Sequence, residues 1–540
     1  MNNNLKIILR YFLFFLFFFS IFLAVHLSKK GFWSIDDPYY HAKHSFLIEQ
    51  TLDFKLVKPW LEFHFLNYAP TDPWWGYHLL MAGSIHFFGI FLGAKILTAI
   101  LASLIFLVFY FLLHRLNIKR PFAWTLLFFG SSSFFQYRLF LERPFLLALI
   151  ILPIAFWLLV NKKNIQLLFL SVIFAVLYNL APLIILMAIF YILIDIYISR
   201  SGLLESEKAE SKSLLVSAKP FYATFFGVGL GILLHPYSLN YIYVMYIHFC
   251  RVIFLRLAGV DVGIGNEVQV GSFPGLISNN FIFVVVYIIS LAIFFSFKKL
   301  QKNKINLFLF LISGFWFLVT LLIPRGGDFW LPFGWLFVIF NFKLFSEIQE
   351  YQAVKSFLTK KIEIKILKPL LISLVIILIF NNFVQIFNYL YQNNTNAKED
   401  VYYEQANAWL KANTPANSLV FYNNWSYWPR MFFYNDHNHY ITGMDPTFLY
   451  EYDKNLFWLW NNISKKGIAC NQQAGCLNLS PREKMANIKK AIKEKFRSDY
   501  VFITNDPEDE LLKVLKNRKQ DFEEVFSNEG LLIYKIKNTN

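Results

Sequence analysis

The chain has 540 residues, of which 56% are hydrophobic, 20% are aromatic and only 16% are charged. This composition excludes an ordinary soluble domain and predicts a protein that lives in a lipid bilayer. The net charge of +16 does not indicate a nucleic-acid-binding protein, because Lys and Arg alternate with long apolar runs instead of forming one soluble basic face.

An apolar run at 5–27 opens the chain and predicts a first membrane span. It is longer than the core of a signal peptide and no small-residue cleavage site follows it, so we expect it to be retained. Further apolar runs bring the predicted spans to eleven; they lie at 92–113, 122–138, 144–160, 165–179, 182–199, 220–235, 277–297, 305–323, 329–346 and 367–391. The stretch 77–113 is too long for one upright helix, and Gly89 and Gly93 allow its first part to form a separate helix near the membrane surface.

The first predicted outer loop, 29–76, carries the sequence Ile35-Asp36-Asp37-Pro38-Tyr39-Tyr40-His41. Carboxylates at the point where a membrane helix meets water, beside Tyr and His, are suited to hold a divalent cation against a phosphate. Asp36 and Asp37 are therefore candidate metal ligands, or one of them is a general base. The alternative is a helix N-cap, because Asp before Pro is common where a helix begins.

The second predicted outer loop places Glu142 between Arg138 and Arg143. Glu142 is the only acid in this loop. The two arginines are candidate ligands for a phosphate, since a guanidinium group binds phosphate through two hydrogen bonds. An ion pair within the loop is the alternative.

Two more outer segments carry charge. The long connection 236–276 contains Glu267 among glycines, which predicts a mobile loop; an ordinary disordered connection is the alternative. The turn that starts at Pro324 contains Arg325 and Asp328, a candidate phosphate clamp or a self-contained ion pair.

Lys and Arg are about twice as frequent in the predicted inner loops as in the outer loops when the N-terminus is inside. An odd number of spans then places residues 395–540 outside. Their mixture of charge and short apolar segments predicts an α/β domain with its own core. Cys470 and Cys476 flank a short polar loop there, so either a disulfide or two free thiols fits.

These features resemble the GT-C superfamily of membrane glycosyltransferases, and within it the oligosaccharyltransferase catalytic subunits. Asp37-Pro38-Tyr39-Tyr40 is similar to the acidic motif of the family's first loop. Trp425-Ser426-Tyr427-Trp428-Pro429-Arg430 stands where the family carries Trp-Trp-Asp-Tyr-Gly, but without its Asp and Gly. Glu142 stands where the family carries two acids in an Asp-x-Asp or Asp-x-Glu motif.

The resemblance implies a polytopic α-helical membrane protein, residues 1–394, with a C-terminal extracytoplasmic α/β domain, residues 395–540. It implies a glycosyltransferase in the cell membrane that uses a polyprenyl-phosphate-linked or diphosphate-linked sugar, a protein, lipid or glycan acceptor, and Mg²⁺ or Mn²⁺. The expected catalytic acids are Asp36, Asp37, Glu142 and Glu267, with Asp37 and Glu142 as metal ligands. The expected substrate-binding residues are Tyr40, His41, Arg138, Arg143, Arg325, Asp328, Trp425, Tyr427 and Arg430. The competing classes are a transporter or lipid-linked-sugar flippase, and a membrane-anchored scaffold.

Overall fold

The structure is a computed structural model. It describes residues 3–34, 36–57, 60–200, 218–260, 262–263, 265, 273–348, 351, 373, 376–377, 379–388, 391, 397–474, 476, 480, 483 and 487–537.

Helices follow one another along the chain up to residue 347. Their bounds are α1 Asn3–Leu27, α2 Asp37–Thr51, α3 Trp75–Phe88, α4 Ile90–Arg115, α5 Pro121–Gly130, α6 Ser133–Leu139, α7 Phe145–Val160, α8 Asn164–Leu177, α9 Pro182–Arg200, α10 Lys219–Leu234, α11 Ser238–Tyr246, α12 Val252–Leu257, α13 Phe273–Asn279, α14 Phe281–Ser296, α15 Lys298–Lys302, α16 Lys304–Leu322 and α17 Gly327–Glu347. One hydrophobic core runs through this part of the molecule, and aromatic rings fill much of it: Phe18 of α1 stacks on Phe106 of α4 at a centroid distance of 4.6 Å.

Six helical segments of the described chain are long and apolar enough to cross a bilayer, which confirms a polytopic membrane protein. They are Asn4–Leu27, Ile90–Arg115, Pro182–Arg200, Ser238–Leu255, Lys304–Leu322 and Pro324–Glu347. Shorter apolar helices, α5, α7, α8, α10 and α14, lie between them. The predicted count of eleven spans is not confirmed, and most of the predicted span 367–391 lies outside the described residues.

The stretch 77–113 is divided as predicted. Helix α3 ends at Phe88 and α4 begins at Ile90, with Gly89 between them at φ 77°. A residue with a Cβ is strained in this left-handed conformation, so glycine allows the sharp change of direction.

The predicted span 122–138 is wrong as a single helix, because it breaks between α5 and α6 at Ser131 and Ser132. Side chains from distant helices bind the polar groups at the break: Asn382 Nδ2 donates to the Gly130 carbonyl at 2.9 Å, and Trp335 Nε1 donates to Ser131 Oγ at 3.0 Å. Ser132 caps α6 by accepting from the N–H of Phe135. A helix inside an apolar core tolerates such a break only when the freed groups find partners.

Helices α8 and α10 pack closely because α10 carries glycines four residues apart. A Cβ on Gly227 would come within 2.6 Å of the Leu168 carbonyl, and one on Gly231 within 2.6 Å of the Val172 carbonyl. The spacing is that of small residues at helix contacts in membrane proteins.

The segment 236–276 differs from the predicted mobile loop in its first half. Helix α11 continues through a π-helical turn, Ile247–Arg251, into α12. Val244 and Ile247 are buried against Phe65 of the first loop and Phe448 of the C-terminal part. This half is therefore a packed helix, and much of the second half lies outside the described residues.

The C-terminal part contains a five-stranded sheet with helices around it, as the sequence predicts. Its elements are α18 Ala397–Asn413, β1 Leu419–Tyr422, α19 Trp428–Tyr434, β2 His439–Tyr440, α20 Pro446–Tyr452, α21 Lys454–Lys466, α22 Ile488–Lys490, β3 Ser498–Thr504, α23 Glu510–Asn517, β4 Phe522–Ser527 and β5 Leu531–Ile536. The strand order is β2-β1-β3-β5-β4; β1 is parallel to β2 and β3, and β5 is antiparallel to β3 and β4. Cys470 and Cys476 form a disulfide.

The first loop adds its backbone to the edge of this sheet. The N–H of Glu62 donates to the carbonyl of Tyr440 at 2.8 Å, and the N–H of Tyr440 donates to the carbonyl of Trp60 at 2.8 Å. The N–H of Phe63 donates to the carbonyl of Ile441 at 3.1 Å. The first loop thus covers the edge strand β2, and it lies on the same side of the molecule as the C-terminal part.

Candidate functional site

Asp36 and Asp37 stand at the start of α2 and have different surroundings. The carboxylate of Asp36 caps the helix, accepting from the N–H of Asp37 at 2.8 Å and from the hydroxyl of Ser34. Arg143 reaches both acids from the turn after α6: its Nη2 is 2.8 Å from Asp36 Oδ1, and its Nε is 3.2 Å from Asp37 Oδ2. The side chains of Asp36 and Asp37 are 29% and 33% exposed, against 6% for Arg143. Two accessible carboxylates therefore lie over an enclosed guanidinium group.

Glu142, the neighbour of Arg143 in sequence, is fully buried. Its Oε1 lies 3.2 Å from Nδ1 of His26 on α1. Within the described chain, neither oxygen of Glu142 has a hydrogen-bonding partner. The first and second loops thus contact each other through Arg143, and Glu142 lies one residue away against α1.

Arg138 and Asp328 form a buried pair between α6 and α17. Arg138 Nε lies 3.1 and 3.2 Å from the two oxygens of Asp328, and its Nη2 lies 2.8 Å from Oδ2. The guanidinium also lies over the ring of Phe145 at 4.5 Å. The observed partner of Arg138 is thus an acid 190 residues away in sequence and not one of its own loop.

Tyr178, a residue that the sequence did not single out, follows α8 and lies among the loop arginines. Burial raises the pKa of Tyr178 to about 12, while the positive charges of Arg325, Arg138 and Arg143 act in the opposite direction. Three arginines from two loops, Arg138 and Arg143 on one and Arg325 on the other, therefore lie near one phenol, together with the carboxylate of Asp328.

The two islands of family resemblance touch each other. The ring of Tyr40 lies 5.0 Å from Trp428 and 5.9 Å from Trp74, measured between centroids. The ring of Tyr39 lies 5.2 Å from Phe433 on α19. The helix that begins at Asp37 is therefore packed directly on the C-terminal part.

Trp425 and Tyr427 lie on a single 3-10 turn, Trp425–Tyr427, before α19. The indole N–H of Trp425 donates to the carbonyl of Gly263 at 3.2 Å, so this turn contacts the segment 236–276. The hydroxyl of Tyr427 is 3.0 Å from Thr504 Oγ1 at the end of β3. Trp425 is thus the member of this island that meets the outer segment.

Arg430 is buried between two helices of the C-terminal part. Its Nη1 lies 3.1 Å from Glu399 Oε2, and its guanidinium lies 3.8 Å above the ring of Tyr403. Both contacts join α19 to α18. Glu267, the fourth predicted acid, lies outside the described residues.

His41 belongs to a chain of buried polar side chains behind Tyr40. Its Nδ1 lies 2.8 Å from Nε2 of His78, and Nδ1 of His78 lies 2.5 Å from Oδ2 of Asp72. Burial, together with the neighbouring His78, holds the pKa of His41 well below its usual range, and burial lowers the pKa of His78. Burial opposes ionisation of Asp72, yet His78 and His44 hold the pKa of its carboxyl well below its usual range.

No family model matches the chain, and no curated protein matches it closely enough to be a relative. Its structure, however, is similar to those of two membrane enzymes. The archaeal oligosaccharyltransferase AglB from Archaeoglobus fulgidus superposes with a TM-score of 0.55 at 12% identity, covering 91% of this chain and 69% of AglB. ArnT from Cupriavidus metallidurans superposes with a TM-score of 0.53 at 10% identity, covering 99% of this chain and 98% of ArnT.

Identities this low establish a similar fold and nothing more. Because the superpositions cover 91% and 99% of this chain, the similarity in fold extends over nearly its whole length. The chain consists, in order, of an acidic first loop, a bundle of apolar helices and a C-terminal α/β part that packs on that loop. The chain therefore shares its fold with the oligosaccharyltransferase AglB and with ArnT.

Proposed function

We propose that the chain is a membrane glycosyltransferase that moves a sugar or oligosaccharide from a polyprenyl-phosphate or polyprenyl-diphosphate donor to a protein, lipid or glycan acceptor at the extracytoplasmic face. The observation that carries the proposal is Arg143 held between the accessible carboxylates of Asp36 and Asp37. AglB was solved with an inhibitory peptide and a dolichol-phosphate, and ArnT with undecaprenyl phosphate. Both similar proteins thus bind the lipid class that the proposal requires.

In the proposed reaction an acceptor atom attacks the anomeric carbon of the sugar. The bond from that carbon to the phosphate oxygen breaks, and the phosphate leaves with the electron pair. Arg143, Arg138 and Arg325 offset the negative charge on the leaving phosphate, because fixed cations near developing charge stabilise a transition state. Asp37 accepts the acceptor's proton, since its carboxylate is accessible and is not the one that caps α2.

Asp37 and Glu142 are the proposed ligands of a divalent cation, although among the described residues the group of three or more possible ligand atoms that lie close together is His44, Asp72 and His78. Asp37 and Glu142 provide hard oxygen donors of the kind that Mg²⁺ and Mn²⁺ prefer, and both oxygens of Glu142 lack a hydrogen-bonding partner within the described chain. When bound, such a cation supplies positive charge to the leaving phosphate. Arg143 already provides positive charge at Asp37, so a comparison of activity with and without divalent cation separates the two sources of charge.

A transporter or flippase is the competing class. It requires ionisable groups in the spans and broken helices in paired halves of the chain. The acid inside α9, Asp195, is paired with Lys304, and the accessible acids lie in the first loop. The proposed glycosyltransferase function therefore gives Asp36, Asp37 and Arg143 a role, and a transporter function does not.

The decisive variant is Asp37→Asn, which keeps the size of the side chain and removes its charge. We expect transfer from a lipid-linked donor to fall by about 100-fold or more, equivalent to roughly 2.7 kcal/mol, because a base or metal ligand is lost from the transition state. The measurement is transfer by purified protein, with and without Mg²⁺ or Mn²⁺.

Asp53→Asn is the matched control. Asp53 lies just after α2, is exposed and only accepts from the N–H of Lys55 at 2.9 Å, which an amide oxygen also does. We expect this variant to keep normal activity. Near-normal transfer by Asp37→Asn would contradict the assigned role of Asp37.

A further inference from the structure

A buried cluster of His44, Asp72 and His78 lies behind the first-loop motif, away from the acids assigned to the reaction. His44 lies on α2, Asp72 lies in the loop before α3, and His78 lies on α3. One ligand atom from each lies within 4.8 Å of the others. Asp72 Oδ2 is the centre of the group, 2.5 Å from His78 Nδ1 and 3.5 Å from His44 Nε2.

His44 is the unusual member of the cluster. Its ring is 0% exposed, and neither of its nitrogens has a hydrogen-bonding partner within the described chain. Buried polar groups normally have a partner, and leaving one unpaired is costly. The orphaned Nε2 lies next to the carboxylate of Asp72 without a hydrogen bond to it, as a metal ligand would.

The groups around the cluster hold the other two ligands in place. The second oxygen of Asp72, Oδ1, accepts from the N–H of Trp74 at 3.0 Å, and the Asp72 carbonyl lies 2.9 Å from Nε2 of His235. His78 Nε2 lies 2.8 Å from His41 Nδ1. If His78 Nδ1 binds a metal ion, its proton is on Nε2 and is donated to His41. Metal-bound histidines almost always donate their second nitrogen in this way.

We propose that His44 Nε2, Asp72 Oδ2 and His78 Nδ1 bind one Zn²⁺ ion. Two imidazoles and one carboxylate suit zinc, whereas Mg²⁺ and Mn²⁺ prefer oxygen ligands alone. Ligand atoms about 2 Å from a tetrahedral ion lie about 3.3 Å apart. The distance from His44 to Asp72 already agrees with this value, and the distance from His78 to Asp72 requires widening by less than about 1 Å.

The zinc ion clamps α2 to α3 and thereby fixes the helix that begins at Asp37. It is separate from the divalent cation of the proposed reaction, whose ligands are carboxylates. The proposal of a zinc site rests on the buried side chains of His44, Asp72 and His78, and it does not depend on whether the chain transfers sugars.

The test uses the full chain, purified in detergent through an affinity tag without histidine. We expect elemental analysis after dialysis to find about one zinc per wild-type chain, and less than about a fifth of that in His44→Ala and His78→Ala. His86→Ala is the control. His86 is an exposed histidine of the same helix, α3; its Nδ1 lies 3.0 Å from Glu49 Oε1, and it is not a member of the cluster. This variant should retain its zinc, and a chelator should lower the melting temperature of the wild type and of His86→Ala but not of His44→Ala.

Replacement of zinc by Co²⁺ keeps the test decisive if the variants do not fold. Wild-type protein should then show the visible absorption of tetrahedral cobalt, without the near-ultraviolet band of a cobalt–thiolate bond. A thiolate band would assign the ion to Cys250 and overturn the proposal. Equal zinc content in the wild type and in His44→Ala, or no cobalt absorption in the wild type, would also overturn it.

Discussion

The Arg138–Asp328 pair shows how single residues hold the arginine-rich region in place. Both side chains are 3% exposed, and the carboxylate receives several hydrogen bonds from the guanidinium. A buried ion pair contributes little net stability compared with apolar side chains of the same size, but the loss of one partner leaves the other charged and buried. The pair therefore fixes where Arg138 lies more than it stabilises the fold.

This contrast gives a prediction for a double-mutant cycle. We expect Arg138→Leu or Asp328→Leu alone to destabilise the protein by about 3–5 kcal/mol, because one buried charge loses its partner. The double variant should recover most of that stability. Thermal unfolding of the purified variants measures the effect, and a double variant as unstable as the sum of the two single variants would contradict it.

Sequence reasoning at this scale identified the charged residues but not their partners. The ion pairs that it offered as alternatives, Arg138 with Glu142 and Asp328 with Arg325, joined residues near in sequence, because those were the only known neighbours. The structure pairs side chains 190 residues apart in one case and 107 in the other, Arg143 with Asp36. Tyr178 and His26 carry no motif, so nothing in the sequence marks them.

At the scale of elements, the contact between the first loop and β2 joins two parts of the chain that hydropathy treats as independent. Backbone groups make this contact, so side-chain patterns do not reveal it. The break between α5 and α6 is hidden for a similar reason, since Gly130, Ser131 and Ser132 interrupt the apolar run only briefly and their partners, Trp335 and Asn382, come much later. Hydropathy predicts apolar helices well, but not where a helix is interrupted inside the core.

The first-loop contact is tested by Glu62→Pro. Proline has no N–H, so the hydrogen bond to the Tyr440 carbonyl is lost and that acceptor stays unpaired at the sheet edge. We expect a loss of about 1–3 kcal/mol in stability and faster cleavage of the first loop by protease.

Glu62→Ala provides the control for the side chain. This variant keeps the backbone N–H and removes the ion pair between Glu62 and Arg497. The side chain of Glu62 is 33% exposed and that of Arg497 is 57% exposed. Such exposed pairs contribute less than about 1 kcal/mol. Similar losses in both variants would show that the backbone contact is not what joins the loop to the sheet.

For the whole molecule, composition and the order of the segments were enough to predict the architecture. A long apolar region with an acidic first loop, followed by a more polar α/β region, leads to the observed fold. The number of spans was harder to predict. Helices such as α8 and α10 pack against each other within the bundle, and each is shorter than a helix that crosses the whole bilayer. Length alone does not decide whether such helices cross the bilayer.

The excess of Lys and Arg in the predicted inner loops predicts the orientation of the molecule in the membrane. We expect cysteines introduced at Lys55 and at Lys516, both exposed, to react with an impermeant thiol reagent added outside intact cells. A cysteine at Lys119, between α4 and α5, should react only after the membrane is opened. Each cysteine is introduced into a protein that also carries Cys250→Ser, so that this free thiol does not react. Cys470 and Cys476 do not react because they form a disulfide.

Labelling of the Lys55 and Lys516 variants from opposite sides of the membrane would contradict the contact between the first loop and the sheet. Labelling of all three from outside would contradict the predicted orientation and leave that contact intact.

The strand-edge contact also limits how this protein can be taken apart. A fragment beginning near residue 397 would keep all five strands, yet its β2 edge would lose the backbone of Trp60, Glu62 and Phe63, and Trp428 would lose the ring of Tyr40. An open strand edge next to newly exposed aromatic rings favours self-association. The C-terminal part is therefore an incomplete folding unit, and a monomeric soluble version of it requires residues 60–63 to be supplied with it, for instance as a fused peptide.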